Sequence, residues 1–188
     1  MSRLVVSFML VFVLCSTAWS RQIAGVEVAE SVEGQEGVEL KLNGAGIRSK
    51  LFFKIYIAQL YLQNPSSDAL AIIGDDGQKR MVMHFLYEEV GADKLIGAWN
   101  EGFEGNLDDA RRSELAPQIK EFNSMFETVK KGDEVVLDYL PGKGTTVTIK
   151  GNGKGTIAGK PFADALFAIW LGEKPVTSGL KADLLGGS

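Results

Sequence analysis

The chain has 188 residues, with 20 Lys and Arg against 24 Asp and Glu and a formal charge of −4. One histidine and one cysteine exclude the usual metal centres built from several histidines or cysteines, and no metal or other cofactor is expected. The basic residues are scattered and form no stripe with interleaved aromatics, which argues against nucleic acid as a partner.

Arg3 is the one charge ahead of Leu4 to Cys15, a run that is apolar except for Ser7. Ser16, Thr17, Ala18, Trp19 and Ser20 follow, and then the polar pair Arg21-Gln22. A short basic start, an apolar run too short to cross a bilayer and small residues at Ala18 and Ser20 predict a secretory signal over residues 1–20. Lipoprotein processing at Cys15 is disfavoured, because Leu14 stands where a small residue is needed. Cys15 then leaves with the signal, and the mature segment 21–188 has no thiol for a disulfide, a nucleophile or a metal. A periplasmic or secreted product follows, with no membrane span after cleavage and a length that suits one domain.

Val38, Leu40 and Leu42 alternate with Glu39 and Lys41, which predicts a half-buried strand that Asn43-Gly44-Ala45-Gly46 then breaks. Leu51 to Gln63 is apolar on both sides, as a central strand covered on both faces requires, and it carries Lys54, Tyr56 and Gln59. Arg80 to Tyr87 reads as a third strand. Leu95, Ala98, Trp99, Gly102 and Phe103 recur at helical spacing, as do Leu115, Ile119, Phe122 and Phe126. Asp133–Tyr139, Thr145–Lys150 and Gly153–Ala158 predict short strands joined by Pro141-Gly142-Lys143-Gly144 and Gly151-Asn152-Gly153. Two helices close the chain, Pro161–Leu171, ended by Gly172, and Val176–Leu185. Strands grouped at both ends with helices between them give an antiparallel α+β layer.

Little of the obvious chemistry survives inspection. Gly142-Lys143-Gly144-Thr145-Thr146 has the wrong spacing for a phosphate loop and is read as a Gly-rich hairpin. His84 lies in a strand, where a packed, hydrogen-bonded histidine is the common outcome. Asp108-Asp109 beside Arg111-Arg112 reads as a solvated helix face, and adjacent Glu88 and Glu89 point to opposite sides of a strand. Arg48 differs. It follows Gly44-Ala45-Gly46 and enters the strand carrying Lys54, Tyr56 and Tyr61. A guanidinium at the mouth of an apolar layer suits a carboxylate or an enolate, although composition alone favours an ordinary surface arginine.

The stretch Leu42-Asn43-Gly44-Ala45-Gly46-Ile47-Arg48, followed by Lys54-Ile55-Tyr56-Ile57-Ala58-Gln59-Leu60-Tyr61-Leu62, resembles the chalcone isomerase superfamily. Lys131-Gly132-Asp133, Tyr139-Leu140-Pro141-Gly142 and Ala165-Leu166-Phe167-Ala168-Ile169-Trp170-Leu171-Gly172 agree in order and spacing. The resemblance spans almost all of 21–188 and is closest to the exported bacterial branch. It implies an open-faced β-sandwich, a large antiparallel sheet under a helical layer, with a ligand cleft between them. It places Arg48 on the family's cleft arginine, which meets an enolate-like oxygen in the plant enzymes and a carboxylate in fatty-acid-binding relatives. It also places Asn100 on a cleft asparagine, Tyr56 on a cleft threonine and, loosely, His84 on a cleft lysine. The catalytic tyrosine position falls near Asp93, with Tyr87 the nearest tyrosine, and the threonine of the last helix is Ile169.

The expected ligand-binding set is therefore Arg48, Tyr56, Asn100, Lys54 and His84. With most hydroxyls of the catalytic set gone, the balance favours a non-catalytic binder of a fatty acid or another small apolar carboxylate. The alternative is an intramolecular lyase of the chalcone isomerase type, acting on an enone or phenolic substrate with Arg48 as its cation. A structural or interaction role for the sheet, without a ligand, is the third reading.

Overall fold

The computed structural model describes residues 20–187. The expected signal segment lies outside them except for Ser20, and so does Cys15.

The chain opens with a hairpin of β1 (Ser20–Ile23) and β2 (Val26–Ala29), which turns at Ala24 and Gly25, both at positive φ. Next come β3 (Ser31–Glu33), β4 (Glu39–Lys50), β5 (Phe53–Leu62), α1 (Ala69–Gly74) and β6 (Lys79–Phe85). A two-residue strand β7 (Glu89–Val90) pairs later with β8 (Val129–Lys130), and the helices α2 (Ala92–Asn106) and α3 (Asp109–Ser124) lie between them. β9 (Glu134–Leu140), β10 (Gly144–Ile149) and β11 (Asn152–Ile157) follow, then α4 (Lys160–Leu171) and α5 (Ser178–Leu184). Seven of the strands make one antiparallel sheet in the order β11-β10-β9-β6-β5-β4-β3. The antiparallel α+β architecture expected from the sequence is the architecture observed.

The period-2 geometry of a strand sorts β5 between two cores. Tyr56, Ala58, Leu60 and Leu62 face the helices with Met81, Met83 and Phe85 of β6 and Val135 and Leu137 of β9. Tyr61 turns the other way with Leu40 and Val82, against Val32, Val38, Leu42 and Val136. The Tyr61 hydroxyl sits 2.8 Å from Gln59 Oε1 and 3.1 Å from the carbonyl of Ala29 at the end of the opening hairpin. A run that is apolar on both sides is thus explained by burial on both sides.

Helix α4 carries the larger core. Phe162, Ala163, Leu166, Phe167 and Trp170 are all at most 1 % exposed, and Pro161 stands in its first turn, where a missing N–H costs nothing. Its flank meets α2 through Trp99, whose ring packs edge-on against Trp170 with centroids 5.6 Å apart. Side-chain caps start α1 at Asp68, α3 at Asp108 and α5 at Thr177.

One expectation is corrected. Asn43-Gly44-Ala45-Gly46 does not interrupt the first long strand; β4 runs from Glu39 to Lys50 and absorbs Asn43 as a bulge opposite β5. The bulged Asn43 donates through Nδ2 to the Leu184 carbonyl at 2.8 Å and accepts from the Ser66 amide. The glycines serve packing: a Cβ on Gly44 would stand 2.1 Å from the Asp183 carbonyl oxygen, and one on Gly46 would stand 2.3 Å from Asp183 Oδ2. Helix α5 rests on the bare backbone of β4. Arg48 consequently sits inside a strand, not beyond a loop.

Candidate functional site

Arg48 and Tyr56 are directly opposed in the β4–β5 ladder, so their side chains share the helix-facing side of the sheet. The guanidinium carbon lies 5.7 Å from the centroid of the Tyr56 ring. Around them, the ends of β4, β5 and β6 diverge from α2 and α4 and leave a cavity of about 450 Å³. Its floor is apolar, with Ile55, Met83 and Phe85 from the sheet, Leu95 and Trp99 from α2, and Ile169 from α4. Its rim carries Lys50, Tyr87, Glu89, Lys94 and Glu101. An apolar interior with a few convergent polar groups is the usual build of a small-molecule site.

The polar groups of this cavity are under-used. Trp170 Nε1 donates to the Tyr56 hydroxyl at 3.1 Å, which leaves the phenolic proton free to donate elsewhere. Arg48 Nε and Trp99 Nε1 are both buried without a hydrogen-bond partner. Two orphaned buried donors on the wall of one cavity are unusual, since each such group costs about 1–3 kcal/mol. Burial raises the pKa of Tyr56 above that of an ordinary phenol, against the lowering pull of Arg48 and of the Trp170 bond. At neutral pH Tyr56 is therefore a hydrogen-bond donor and not a phenolate.

Of the five expected ligand-binding residues, the structure brings Arg48 and Tyr56 together and puts three elsewhere. His84 belongs to the β6 set that faces away from the helices, and its Nδ1 lies 3.0 Å from Glu134 Oε1 across the strand pair. Lys54 is exposed beyond the β4–β5 turn and does not line the cavity. Asn100 lies one residue past the inward-facing Trp99, and a helical step of about 100° turns it outward. There its Oδ1 accepts from Asn123 Nδ2 at 2.8 Å, and it borders a shallow groove between α2 and α3. Asp93 is exposed in the first turn of α2 and does not line the cavity, whereas Tyr87 stands at the rim.

Two tryptophans beside the site carry no site signal in the sequence: Trp99, which lines the cavity, and Trp170, which reaches it only through Tyr56. Trp99 and Trp170 read there as helix core, which they also are, and no local pattern marks their indole nitrogens as facing Tyr56 and a cavity. Among the described residues no group of three or more His, Cys, Asp and Glu is placed to hold a metal ion, and no helix is long and apolar enough to cross a membrane.

A fatty-acid binding protein from Arabidopsis thaliana has the same fold, with a TM-score of 0.70 at 18 % sequence identity, over 89 % of this chain and 96 % of that one. No curated protein matches the sequence. A family model described as chalcone isomerase-like matches residues 20–186, nearly the whole chain, and by that match the chain belongs to the chalcone isomerase-like family.

Proposed function

We propose that this protein is a non-catalytic binder of a fatty acid or a similar apolar carboxylate, held with its head group on Arg48 and its chain in the cavity between β4–β6 and α2/α4. The observation that carries the reading is the orphaned Arg48 Nε, a charged donor without a partner on the wall of an apolar space. A carboxylate satisfies it by the charge-assisted geometry that a guanidinium favours. Tyr56 supplies a second donor beside it, and buried methylenes supply most of the affinity. The fold is shared with a protein described as a fatty-acid binder, which agrees with this assignment.

Catalysis of the isomerase type is disfavoured. Tyr56 keeps its proton at neutral pH and is no general base, and Asp93, where the resemblance puts a tyrosine, is exposed and outside the cavity. We also propose that the protein belongs to the exported branch of the family and matures by cleavage near Ser20, on the strength of the pattern over residues 1–20. N-terminal sequencing of the periplasmic or secreted form should then start near Arg21, and recovery of Met1 there would refute export with cleavage.

Calorimetric titration with saturated carboxylates of stepped chain length tests the binder reading. Affinity should rise about fourfold per methylene until the cavity is full. The methyl ester of the best ligand should bind far more weakly than the free acid. Equal binding of acid and ester, or chalcone cyclisation at about 1 per second or faster, would overturn it.

A further inference from the structure

The β4–β5 hairpin turns on two residues, Leu51 and Phe52, between the paired Lys50 and Phe53. Leu51 holds φ at 56°, a left-handed conformation that such turns normally give to Gly, Asn or Asp. Leu51 is 84 % exposed, Phe52 97 % and Phe53 54 %. The Phe53 ring meets Tyr87 edge-on at 5.5 Å. Of the five large apolar side chains exposed among the described residues, these four stand together at one end of the sheet. A turn that sacrifices local conformational preference to display three consecutive apolar groups is the kind of rule-breaking expected at a functional surface.

The surroundings of this tip are basic. Lys50 and Lys54 flank it and Lys94 lies across the cavity mouth; none is in an ion pair among the described residues. The neighbouring acids are partly spoken for, Glu89 by Lys130 at 3.5 Å and Glu88 by Lys131 at 3.8 Å, with Glu101 on the rim. The tip also frames the cavity, since Lys50, Leu51, Phe53 and Tyr87 are all part of its lining.

We propose that the Leu51-Phe52-Phe53 tip is a membrane-docking wedge for an anionic lipid surface, which it enters far enough to bring the cavity mouth to the headgroup boundary. A narrow wedge fits the acyl–headgroup boundary, while long lysine stems reach back to phosphates. A protein partner would call for a broader complementary face than two turn residues present. Docking in this orientation lets an apolar carboxylate pass between the leaflet and the cavity without crossing water. That passage rests on the binder reading above; docking itself stands on the tip alone.

Flotation of the purified protein with phosphatidylcholine vesicles, with and without a third of phosphatidylglycerol, tests the proposal. The wild type should float with the anionic vesicles and much less with the neutral ones. Phe52→Asp should weaken vesicle binding about tenfold or more while leaving carboxylate affinity in solution unchanged, because Phe52 does not line the cavity. The pair Lys50→Gln and Lys54→Gln should cost roughly tenfold on anionic vesicles and almost nothing on neutral ones. Arg48→Ala should still float, so failure of the binder reading would show as lost ligand affinity with docking intact. Docking is overturned if the wild type stays with the soluble fraction, or if Phe52→Asp floats as well as wild type. It is overturned equally if Phe52→Asp only converts a dimer to a monomer, for the tip is then a contact between two copies.

Discussion

Two cations on the helix-facing side of the sheet each lie over a tyrosine ring, and their surroundings differ. At one end Arg48 covers Tyr56 at 5.7 Å; at the other Lys79 covers Tyr139 at 4.8 Å. Lys79 is 2 % exposed, and its ammonium donates to the Asp75 carbonyl just past the end of α1. Tyr139 donates to Asp76, while Lys160 bonds Asp164 at 2.7 Å and reaches the Ile73 carbonyl. The Lys79, Tyr139 and Lys160 side chains there all have hydrogen-bond partners. Arg48 Nε and Trp99 Nε1 have none, and both residues line a cavity. The same cation–tyrosine pairing is thus satisfied at one end and leaves unpaired donors at the other. In the proposed binder it is the unsatisfied donors, not the presence of a cation, that mark the place for a ligand.

Truncating each cation in turn should have opposite consequences at the two ends. Arg48→Ala should weaken carboxylate binding by about 2–5 kcal/mol with little change in melting temperature, and Arg48→Lys should recover part of the loss. A lower melting temperature with unchanged affinity would make Arg48 structural. Lys79→Ala should do the reverse. Loss of a fully buried stem and its bond should destabilise by about 2–4 kcal/mol, a fall of roughly 5–15 °C, with ligand affinity unchanged in the folded protein. Thermal unfolding at Tm near that of wild type would show that the joint is dispensable.

The two ends also separate in alkali. Burial raises Tyr61 to about 12, and burial is likewise the main cause of the raised Tyr56 and Tyr139. Above pH 10 the unfolded phenols lose protons that the folded state keeps, so stability present below pH 10 is lost between pH 10 and about 12. The slope approaches about 1.4 kcal/mol per pH unit for each tyrosine. Lys79 acts in the opposite sense at lower pH: burial, and then Lys160, depress its pKa below the ordinary 10.5. The unfolded chain there binds the extra proton, so stability rises with pH until the unfolded lysine titrates. Urea unfolding across this range should show the rise and then the fall, and Lys79→Ala should abolish only the rise. A wild type with flat stability from neutrality to pH 12 contradicts both assignments.

The smallest effects belong to residues that lie near the site in sequence and away from it in space. Lys54→Gln, His84→Gln and Asn100→Ala should each change carboxylate affinity in solution by less than about twofold. A larger loss in any of the three would restore that residue to the site.

The positions of His84 and Asn100 away from the cavity have physical reasons. In β6 the triplet Met81-Val82-Met83 is apolar on both sides, so its pattern cannot say which face His84 shares; burial of both faces erased the signal. Asn100 was legible in principle. The helical spacing of Leu95, Trp99 and Phe103 already turns position 100 away, and that periodicity outweighs a position carried over by resemblance. The break expected at Asn43–Gly46 failed because turn-rich composition has two physical uses. Here it lets α5 approach the backbone of β4.

Alternation and helical spacing are local consequences of backbone geometry, so the order of residues alone specifies the antiparallel α+β class. It also specifies the Gly-rich hairpin at 142–146 and carries the family resemblance. The rest depends on packing. Only the β4–β5 register sets Arg48 opposite Tyr56, and two irregularities fix that register, the bulge at Asn43 and a second shift between Arg48 and Ser49. Only the packing of α4 against β5 brings the Trp170 nitrogen to the Tyr56 hydroxyl, 114 residues away. Whether a polar atom finds a partner or faces an empty cavity depends on groups distant along the chain, and no local pattern encodes such distances.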